Sequence, residues 1–382
     1  MYDLIVVGAG PAGSSAARAA GSLGLRTLVL ERQAFPRYKA CGGALSQHAA
    51  SYLGFDLPAG VIERPVHGVR ICHGNECTER RKARCIAILV TRSTFDDYLL
   101  RMAAETGIAV MTGVRVTNLV ESAGHVEVQT GAETYRASYV IVAEGAHGGL
   151  KYLIRQRDRK SQYGVCVVTE VPADEASIDR YIHEAIAVHF GVARMGYGWV
   201  FPHAGYFSVG IGGVARDMPN PKAVMIDFLA RQGFHGKYRL RGHLIPVGGI
   251  KRRITTRRVL LAGDAAGFVD SFSGEGIAYA IRSGQIAATI VAEASNRRHE
   301  TNRIGEYARR CDAEFGEDLK YSLLLARLLH FSPHAVIRAF VRSPAAVDRF
   351  LEVSARRSSY RDFVHWLIPN LPALLLGKPQ IL

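Results

Sequence analysis

Glycine and acidic residues recur in this chain at spacings that suit the binding of a nucleotide. The first such run is Gly8-Ala9-Gly10-Pro11-Ala12-Gly13, directly after an apolar stretch at residues 2–7. In a strand–turn–helix unit, Gly8 permits the tight turn, Gly10 lets the backbone approach a pyrophosphate, and Gly13 lets helix and strand pack closely. The N-terminus of the following helix offers its N–H groups to the phosphates. The run therefore predicts a dinucleotide site.

The elements after this run support the same interpretation. Small residues at 14–23 predict a helix, and a second strand at 26–30 ends at Glu31. In such sites an acidic residue about 20 positions after the glycines accepts hydrogen bonds from the adenosine ribose. We therefore assign Glu31 and Arg32, together with Ala12 in the turn, to the cofactor-binding residues.

A later segment resembles the second FAD motif of the large superfamily of flavin hydroxylases and reductases. A strand at 258–262 leads into Gly263-Asp264-Ala265-Ala266-Gly267, and a glycine-rich turn precedes a long helix. The resemblance implies that FAD is the cofactor and that Asp264 holds its ribityl chain. It also implies that the start of the helix faces the isoalloxazine, where the helix dipole favours negative charge on reduced flavin. The residues assigned to that contact are Gly274, Gly276 and Ile277.

The segment Arg92-Ser93-Thr94-Phe95-Asp96-Asp97-Tyr98-Leu99 resembles the Arg-x-x-Phe-Asp-x-x-Leu element of the same superfamily. The resemblance implies that Arg92 reaches the cofactor, whereas without it a surface arginine is an equal alternative. Ser93 or Thr94 is expected near the N-cap of the helix that begins here. At 144–145 the chain has Glu-Gly where the superfamily usually has Asp-Gly, so the role of Glu144 stays open. We find no separate NAD(P)H-binding motif.

The loop Phe35-Pro36-Arg37-Tyr38-Lys39-Ala40-Cys41-Gly42-Gly43 follows the second strand, and its two glycines suit a loop that runs against a flat ligand. Here the chain resembles the geranylgeranyl reductase family, whose flavin-side loop reads Cys-x-Gly-Gly or a close variant. The resemblance implies that Gly42 and Gly43 contact FAD. The resemblance also implies that the Cys41 thiol lies beside the flavin and gates the movement of the substrate or of the flavin. The alternative for Cys41 is a small buried residue.

A second motif, Tyr197-Gly198-Trp199-Val200-Phe201-Pro202 followed by Gly210-Ile211-Gly212, is similar to the substrate motif of that family. Alternation along a strand places the three aromatic side chains on one face. A two-residue loop at Ala204-Gly205 would pair Phe201 with Ser208, Trp199 with Gly210 and Tyr197 with Gly212. The aromatic rings would then form the wall of a groove for a long apolar chain; the alternative is an ordinary core strand. The resulting substrate-binding assignments are Tyr197, Trp199, Phe201, Pro202, Gly210 and Gly212, with Cys41, Tyr197 and Trp199 as the catalytic residues.

These elements predict an α/β (α+β) fold in three parts. A Rossmann-type FAD-binding domain covers residues 1–160 and 251–300, and an antiparallel β-sheet that binds the substrate is inserted at 161–250. Residues 301–382 are expected to be mostly helical, with one long helix from Ile304 to Leu329.

The net charge and the cysteine spacings indicate which classes of partner, such as lipid, nucleic acid or metal, the chain is expected to bind. The net charge is +14, and from Lys320 onward there are nine Lys or Arg against three acids. Because no apolar run is long enough to cross a membrane, we expect this basic tail to meet anionic lipid or a phosphorylated substrate, with Trp366 and the leucines of 371–376 touching the lipid. No aromatic–basic pattern typical of nucleic-acid binding is present. The cysteine spacings match no zinc pair, so we expect six reduced thiols and no metal site.

The resemblance implies a reductase in which reduced FAD delivers hydride to isolated double bonds of a polyprenyl chain. The external reductant is NAD(P)H or ferredoxin, and the proton donor is not identified. A phospholipid, a diphosphate, a quinone or a chlorophyll precursor all remain open as the carrier of the chain. Two alternatives are an FAD-dependent monooxygenase and a non-catalytic prenyl-binding chaperone. With no signal peptide at the N-terminus, we expect a cytoplasmic protein, and the basic tail adds the expectation of peripheral contact with the membrane surface.

Overall fold

The computed structural model describes residues 1–296, 303–331 and 333–377. Its strands are β1 (Tyr2–Val7), β2 (Thr27–Glu31), β3 (Ala44–Ser46), β4 (Arg64–Val66), β5 (Gly68–His73), β6 (Glu76–Arg81), β7 (Ala87–Leu89), β8 (Ala109–Thr112), β9 (Val116–Glu121), β10 (Val126–Thr130), β11 (Thr134–Val142), β12 (Tyr163–Pro172), β13 (Ala185–Phe190), β14 (Tyr197–Pro202), β15 (Tyr206–Val214), β16 (Arg241–Pro246) and β17 (Val259–Leu261).

The helices are α1 (Pro11–Ser22), α2 (Gln47–Ser51), α3 (Arg92–Ala104), α4 (Glu175–Tyr181), α5 (Pro221–Arg231), α6 (Ile277–Asn296), α7 (Glu306–Cys311), α8 (Glu317–Phe331), α9 (Pro333–Arg342), α10 (Pro344–Ser354) and α11 (Tyr360–Leu375). A π-helical turn at Asp312–Gly316 joins α7 to α8. The single long helix expected at 304–329 is therefore a helical run with a π-helical interruption.

The first sheet has the strand order β8-β2-β1-β11-β10-β9, with β17 also paired to β11. Strand β1 lies between β2 and β11 and is parallel to both, which buries the apolar run at its centre. Helices α1 and α6 pack against each other beside this sheet. A Cβ at Gly284 would overlap the Ala12 carbonyl oxygen, so the close approach of the two helices requires glycine there. The sheet therefore brings both predicted half-sites to the same place.

The second sheet has the order β16-β12-β15-β14-β13-β5-β6. Its strands at 163–246 are the predicted inserted sheet, and the hairpin of β5 and β6 from residues 68–81 extends it. The added strand β5 runs parallel to β13, whereas the other pairs are antiparallel. The predicted segment at 161–250 thus does not contain the whole sheet, because its edge is completed by chain from the first part of the sequence.

Cys72 and Cys77 form a disulfide, so the prediction of six reduced thiols is wrong for this pair. The two cysteines lie directly opposite each other on β5 and β6, with their Cα atoms 4.1 Å apart. The turn at Gly74 and Asn75 brings them together, with Gly74 in the left-handed region at φ +60°. Cys41, Cys85, Cys166 and Cys311 are free thiols.

The C-terminal helices pack on the second sheet, and their apolar side chains share one core with Trp199 and Phe201. One of the expected lipid contacts, Leu374, is therefore not available at the surface, because it is buried. Trp366 is half-buried, and the Arg349 guanidinium lies 4.8 Å from the centre of its ring. Lys378, which was counted in the basic tail, lies outside the described residues. None of the helices that the structure describes combines the length and the apolar character that a bilayer crossing requires.

Candidate active site

A cavity with a volume of about 870 Å³ lies between the two sheets. It starts at Gly10 in the first glycine turn, passes Asp264, follows the aromatic side chains of β14 and ends against Phe340 and Phe350 of the C-terminal helices. One continuous space therefore joins the predicted cofactor site to the predicted substrate groove. Its volume is within the range of roughly 300–1,000 Å³ that is usual for ligand sites.

The first glycine turn has the geometry that a dinucleotide needs. Gly8 has φ +99°, and its Cβ would clash with the Ala143 backbone; a Cβ at Gly13 would overlap the Gly8 carbonyl. A Cβ at Gly10, in contrast, would meet only Arg37 Nη2 at 3.5 Å, an ordinary contact. The protein itself thus leaves the space next to Gly10 open, at the N-terminus of α1, where the pyrophosphate of FAD is expected.

Glu31 holds this turn in place. Its Oε2 accepts a hydrogen bond from the Ala9 N–H at 2.8 Å, and its Oε1 accepts one from the Gln33 N–H at 2.9 Å. Glu31, like Gly8 and Gly13, does not line the cavity, whereas Arg32 does. A carboxylate has lone pairs for further donors, so the predicted contact of Glu31 with the ribose stays a prediction.

Asp264 reaches the cavity from the turn that follows β17, and Gly276 lies behind it. Burial by itself raises the pKa of the Asp264 carboxyl. The nearby His243 and Lys39 lower this pKa by more than burial raises it, so the net shift is downward and the carboxyl is ionised. An ionised carboxylate in this position can accept hydrogen bonds from the ribityl hydroxyls of FAD. The other predicted flavin contacts in this part of the chain, Gly274 and Ile277, also line the cavity.

Three basic side chains that the sequence analysis missed face Asp264. Lys39 Nζ bonds to His243 Nε2, and His243 Nδ1 lies 2.9 Å from His147 Nε2. Burial lowers the pKa of His243 to about 4 and also lowers the pKa of Lys39. Lys39 and His243 are 204 positions apart, so no spacing in the sequence connected them.

Arg92 is buried, which excludes the alternative of a surface arginine. Its guanidinium donates two hydrogen bonds to Asp96, at 2.8 and 2.9 Å, and Asp96 also pairs with Arg37 at 3.0 Å. Burial lowers the pKa of Arg92, but the carboxylate of Asp96 outweighs it and the net shift is upward. Helix α3 has Thr91 as its N-cap, and the Phe95 N–H donates to the Thr91 carbonyl at 2.9 Å, so Ser93 and Thr94 lie in the first turn, near the cap as predicted.

Cys41, Gly42 and Gly43 form part of the cavity wall. The loop lies directly against the aromatic strand, because a Cβ at Gly42 would be only 2.9 Å from Phe201 Cε2 and 3.1 Å from Trp199 Nε1. His203 fixes the loop from behind. Its Nε2 lies 3.0 Å from the Gly42 carbonyl oxygen, and its Nδ1 bonds to Glu63. The gating role of Cys41 stays a prediction.

The hairpin of β14 and β15 has the predicted register. Tyr197 pairs with Gly212, Trp199 with Gly210 and Phe201 with Ser208, across the predicted two-residue loop. The three aromatic side chains and Gly212 line the cavity, but Gly210 and Pro202 do not. The Trp199 ring covers Gly210, and alternation along the strand directs Pro202 to the opposite face.

Two further contacts complete the wall. The Tyr197 hydroxyl donates to the Ser273 carbonyl and so ties the aromatic strand to the loop before α6. Glu144 lines the cavity, and its Oε1 accepts a hydrogen bond from the Lys151 N–H at 2.9 Å. Glu144 is thus held in the turn after β11 by the backbone of the following segment.

The fold and the two half-sites define an FAD-dependent oxidoreductase, and residues 3–147 match the family model described as FAD dependent oxidoreductase. The chain is 30% identical to a menaquinone reductase of Mycolicibacterium smegmatis, over 76% of each chain. It is 27% identical to digeranylgeranylglycerophospholipid reductase 3 of Methanosphaera stadtmanae, over 86% of this chain and 87% of the relative. The chain belongs to the geranylgeranyl reductase family of flavoenzymes.

A solved structure supports the fold independently. The geranylgeranyl bacteriochlorophyll reductase-like protein of Thermoplasma acidophilum superposes with a TM-score of 0.80 over 98% of each chain, at 23% sequence identity. The predicted mixed α/β architecture of a Rossmann-type FAD domain, an inserted sheet and C-terminal helices is confirmed.

Proposed function

We propose that this protein reduces isolated double bonds in the polyprenyl chain of a lipid or quinone. The observation that carries the proposal is the continuity of the cavity, which joins the flavin site around Asp264 to the aromatic wall of β14. Gly212 on the neighbouring strand leaves room beside that wall, since a Cβ there would meet nothing closer than 3.6 Å. A linear apolar chain is the shape of substrate that such a space accepts.

The chain's own residues have separate tasks in this reaction. The glycine turn and Asp264 hold the cofactor, and the loop at Cys41 closes the space between the cofactor and the aromatic strand. Reduced FAD, when bound, supplies the hydride. Positive charge that builds up on the tertiary carbon of the alkene is stabilised by the faces of Tyr197 and Trp199. The hydrogen bond from Tyr197 to Ser273 holds the first ring in its orientation.

The test is turnover with a chemically reduced flavin. The FAD-loaded protein is reduced without oxygen and mixed with a geranylgeranyl phospholipid, geranylgeranyl diphosphate or a menaquinone, and the products are analysed by mass spectrometry. We expect at least one substrate to gain the mass of two hydrogen atoms per reduced bond. No gain on any prenyl chain, together with a hydroxylated product when oxygen is admitted, would support a monooxygenase instead.

The external reductant is proposed to be NAD(P)H or ferredoxin. The same preparation decides between them, because each donor can be offered alone and bleaching of the oxidised flavin followed by its absorbance. A donor that does not bleach the flavin within the turnover time is not the physiological one.

We also propose that the protein contacts a membrane surface from which it takes its substrate. Helices α8 and α11 lie side by side in the same direction: Arg361 pairs with Glu317 at 3.4 Å, and the rings of Tyr321 and His365 are 5.8 Å apart. Exposed apolar side chains on these two helices and directly after α11 form what we call the apolar edge, namely Leu324, Ile368, Leu375 and Leu376. The exposed basic residues Lys320 and Arg327 lie on α8 beside it, which suits anionic lipid.

A further inference from the structure

One acidic side chain on the cavity wall, Glu275, is not among the residues assigned to the cofactor. Glu275 lies between Gly274 and Gly276, in the loop that leads into α6, and about a fifth of its side chain (22%) is exposed to the cavity. Its Oε1 accepts a hydrogen bond from the Ser46 hydroxyl. The Ser46 Oγ also accepts a hydrogen bond from the Ala49 N–H, because Ser46 is the N-cap of α2. The hydroxyl hydrogen of Ser46 takes no part in that contact and is donated to Glu275.

This hydrogen bond joins the two loops expected to flank the isoalloxazine. Ser46 comes three residues after Gly43, at the end of the Cys41 loop, and Glu275 belongs to the glycine turn before α6. The carboxyl group therefore sits where the two flavin-side loops meet. Residues 46 and 275 are 229 positions apart, so only the folded chain brings them together.

The surroundings of Glu275 move the pKa of its carboxyl into the neutral range, so that a protonated fraction is present near neutral pH. Burial raises the pKa of this carboxyl to about 7, and the neighbouring Asp270 raises it as well, while the Ser46 hydrogen bond and Arg356 lower it. His48, whose Nδ1 is 4.0 Å from Oε2, adds no charge. Burial, followed by Arg356, lowers the pKa of His48 to about 3, so its ring is neutral.

The position of the acidic hydrogen follows from these contacts. Glu275 Oε1 accepts the hydrogen bond from the Ser46 hydroxyl, so the proton of the carboxylic acid lies on Oε2. Arg356 Nη2 lies 2.6 Å from His48 Nε2, and a guanidinium only donates, so the hydrogen of the neutral ring is on Nδ1 and faces Glu275. Oε2 is therefore left with no acceptor among these groups, and its proton is free to leave toward the cavity.

Other acids on the wall are poorer sources of a proton. The Tyr197 hydroxyl is committed to the Ser273 carbonyl, and burial raises its pKa. Burial raises the pKa of the Cys166 thiol to about 12. Asp270 is buried and accepts hydrogen bonds from the Phe272 and Ser273 amides at 2.8 Å each, which fixes it as the centre of a turn.

We propose that Glu275 is the acid that protonates the double bond during the reduction, an inference that rests on the proposed function. The Oε2–H proton is transferred to one alkene carbon while the hydride of reduced FAD is transferred to the other. The alkene π bond, the acid O–H bond and the N–H bond of reduced flavin that carries the hydride would break, and two C–H bonds would form. The alkene would thereby be reduced by two electrons and the flavin oxidised by two. The carboxylate that remains regains its proton from solvent before the next cycle.

The first measurement needs no turnover. Infrared spectra of the purified full-length protein are recorded against pH, and the C=O band of a protonated carboxyl is followed in the parent and in Glu275→Gln. We expect a band that disappears as pH rises through about 7 in the parent and is missing in the variant. Ser46→Ala removes a hydrogen bond that stabilises the carboxylate, so its midpoint should lie higher. A parent with no such band would overturn the inference.

The second measurement uses turnover. Glu275→Gln keeps the size of the side chain and an acceptor for Ser46 but has no acidic proton, so we expect normal flavin content and a loss of roughly 100-fold or more in the rate of saturation. The parent rate should fall as pH rises through about 7, and this fall should be absent in the variant. Glu127→Gln, a surface change at the Arg136 ion pair, is the matched control.

The outcomes separate the two proposals. If the parent reduces prenyl chains and Glu275→Gln does so equally fast with the same pH profile, Glu275 is not the acid and the proposed function stands. If the parent reduces none, the proposed function fails and the assignment of Glu275 fails with it. Glu275→Asp guards against a folding defect, because a shorter acid that restores part of the rate and the pH-dependent fall supports proton donation.

Discussion

At the scale of single residues, Asp264 is the group on which we expect flavin binding to depend most. It is an ionised carboxylate on the cavity wall, and its neighbours His243 and Lys39 stabilise this charge. On this expectation, its removal would deprive the ribityl hydroxyls of an acceptor and leave two basic side chains facing the cavity.

We therefore expect Asp264→Ala to lose most of its flavin. The measurement is the FAD content of the purified protein from its visible absorbance, with Asp97→Ala as the control. Asp97 pairs with Arg101 on α3 and does not line the cavity, so its removal should leave the flavin content unchanged. Full occupancy in Asp264→Ala would mean that the second half-site is held by other residues.

Cys41 offers a second test at this scale. Its thiol lies on the cavity wall, and the Gly43 N–H is 3.4 Å from its sulfur, a contact that a serine oxygen can replace. Cys41→Ser should fold and bind FAD, but it should change how many double bonds per chain are saturated, as read by mass spectrometry. Cys85→Ser, at a free thiol that does not line the cavity, serves as the control. An unchanged product distribution in Cys41→Ser would remove the gating role.

At the scale of elements, the hairpin of β14 and β15 shapes the groove, and its two glycines have different tasks. Gly210 is covered by the Trp199 ring, whereas Gly212 opens on the cavity. Glycine weakens a strand unless something must approach its backbone closely. Here a tryptophan ring approaches one glycine, and free space lies next to the other.

Because of this difference, we expect substitution by leucine to have different effects at the two glycines. Gly212→Leu should project into the cavity and block a full-length prenyl chain while the FAD spectrum and the melting temperature stay near those of the parent. Gly210→Leu should displace Trp199 and destabilise the fold by about 1–3 kcal/mol, as overpacking of a core does. Turnover with long and short prenyl substrates and thermal unfolding measure the two effects. Unimpaired turnover of a long chain by Gly212→Leu would show that the substrate runs elsewhere.

At the scale of the whole molecule, the apolar edge and the net charge of +14 act together. Ile368 and Leu376 are 52% and 69% exposed, which leaves their apolar surface open to a partner. Each basic residue close to an anionic bilayer contributes about 1 kcal/mol of attraction, so a few of them suffice for reversible binding.

Co-sedimentation with vesicles tests this contact. We expect binding to vesicles that contain anionic lipid, weakening with added salt, and a clear loss of binding for Ile368→Asp. Leu153→Asp is the matched control, because Leu153 is exposed to a similar degree, at 56%, but lies outside the apolar edge. Equal loss in both variants, or binding that ignores lipid charge, would contradict the proposed surface.

The sequence by itself determined the parts of the site that depend on neighbouring residues. A glycine turn between strand and helix needs only local spacing, and the two-residue loop at Ala204-Gly205 sets the register of its hairpin, so both were predicted correctly. The Cys72–Cys77 disulfide is also local, and the turn at Gly74 and Asn75 was the signal that was overlooked.

The tertiary structure decided the contacts between distant parts of the chain. Lys39 meets His243 across 204 positions, Ser46 meets Glu275 across 229, and His48 meets Arg356 across 308. No local preference encodes such pairs, because they form only when the two sheets and the C-terminal helices pack around one cavity. The same packing decides protonation, since burial sets the pKa of Glu275 and that of His243, and burial belongs to the folded molecule rather than to any segment of it.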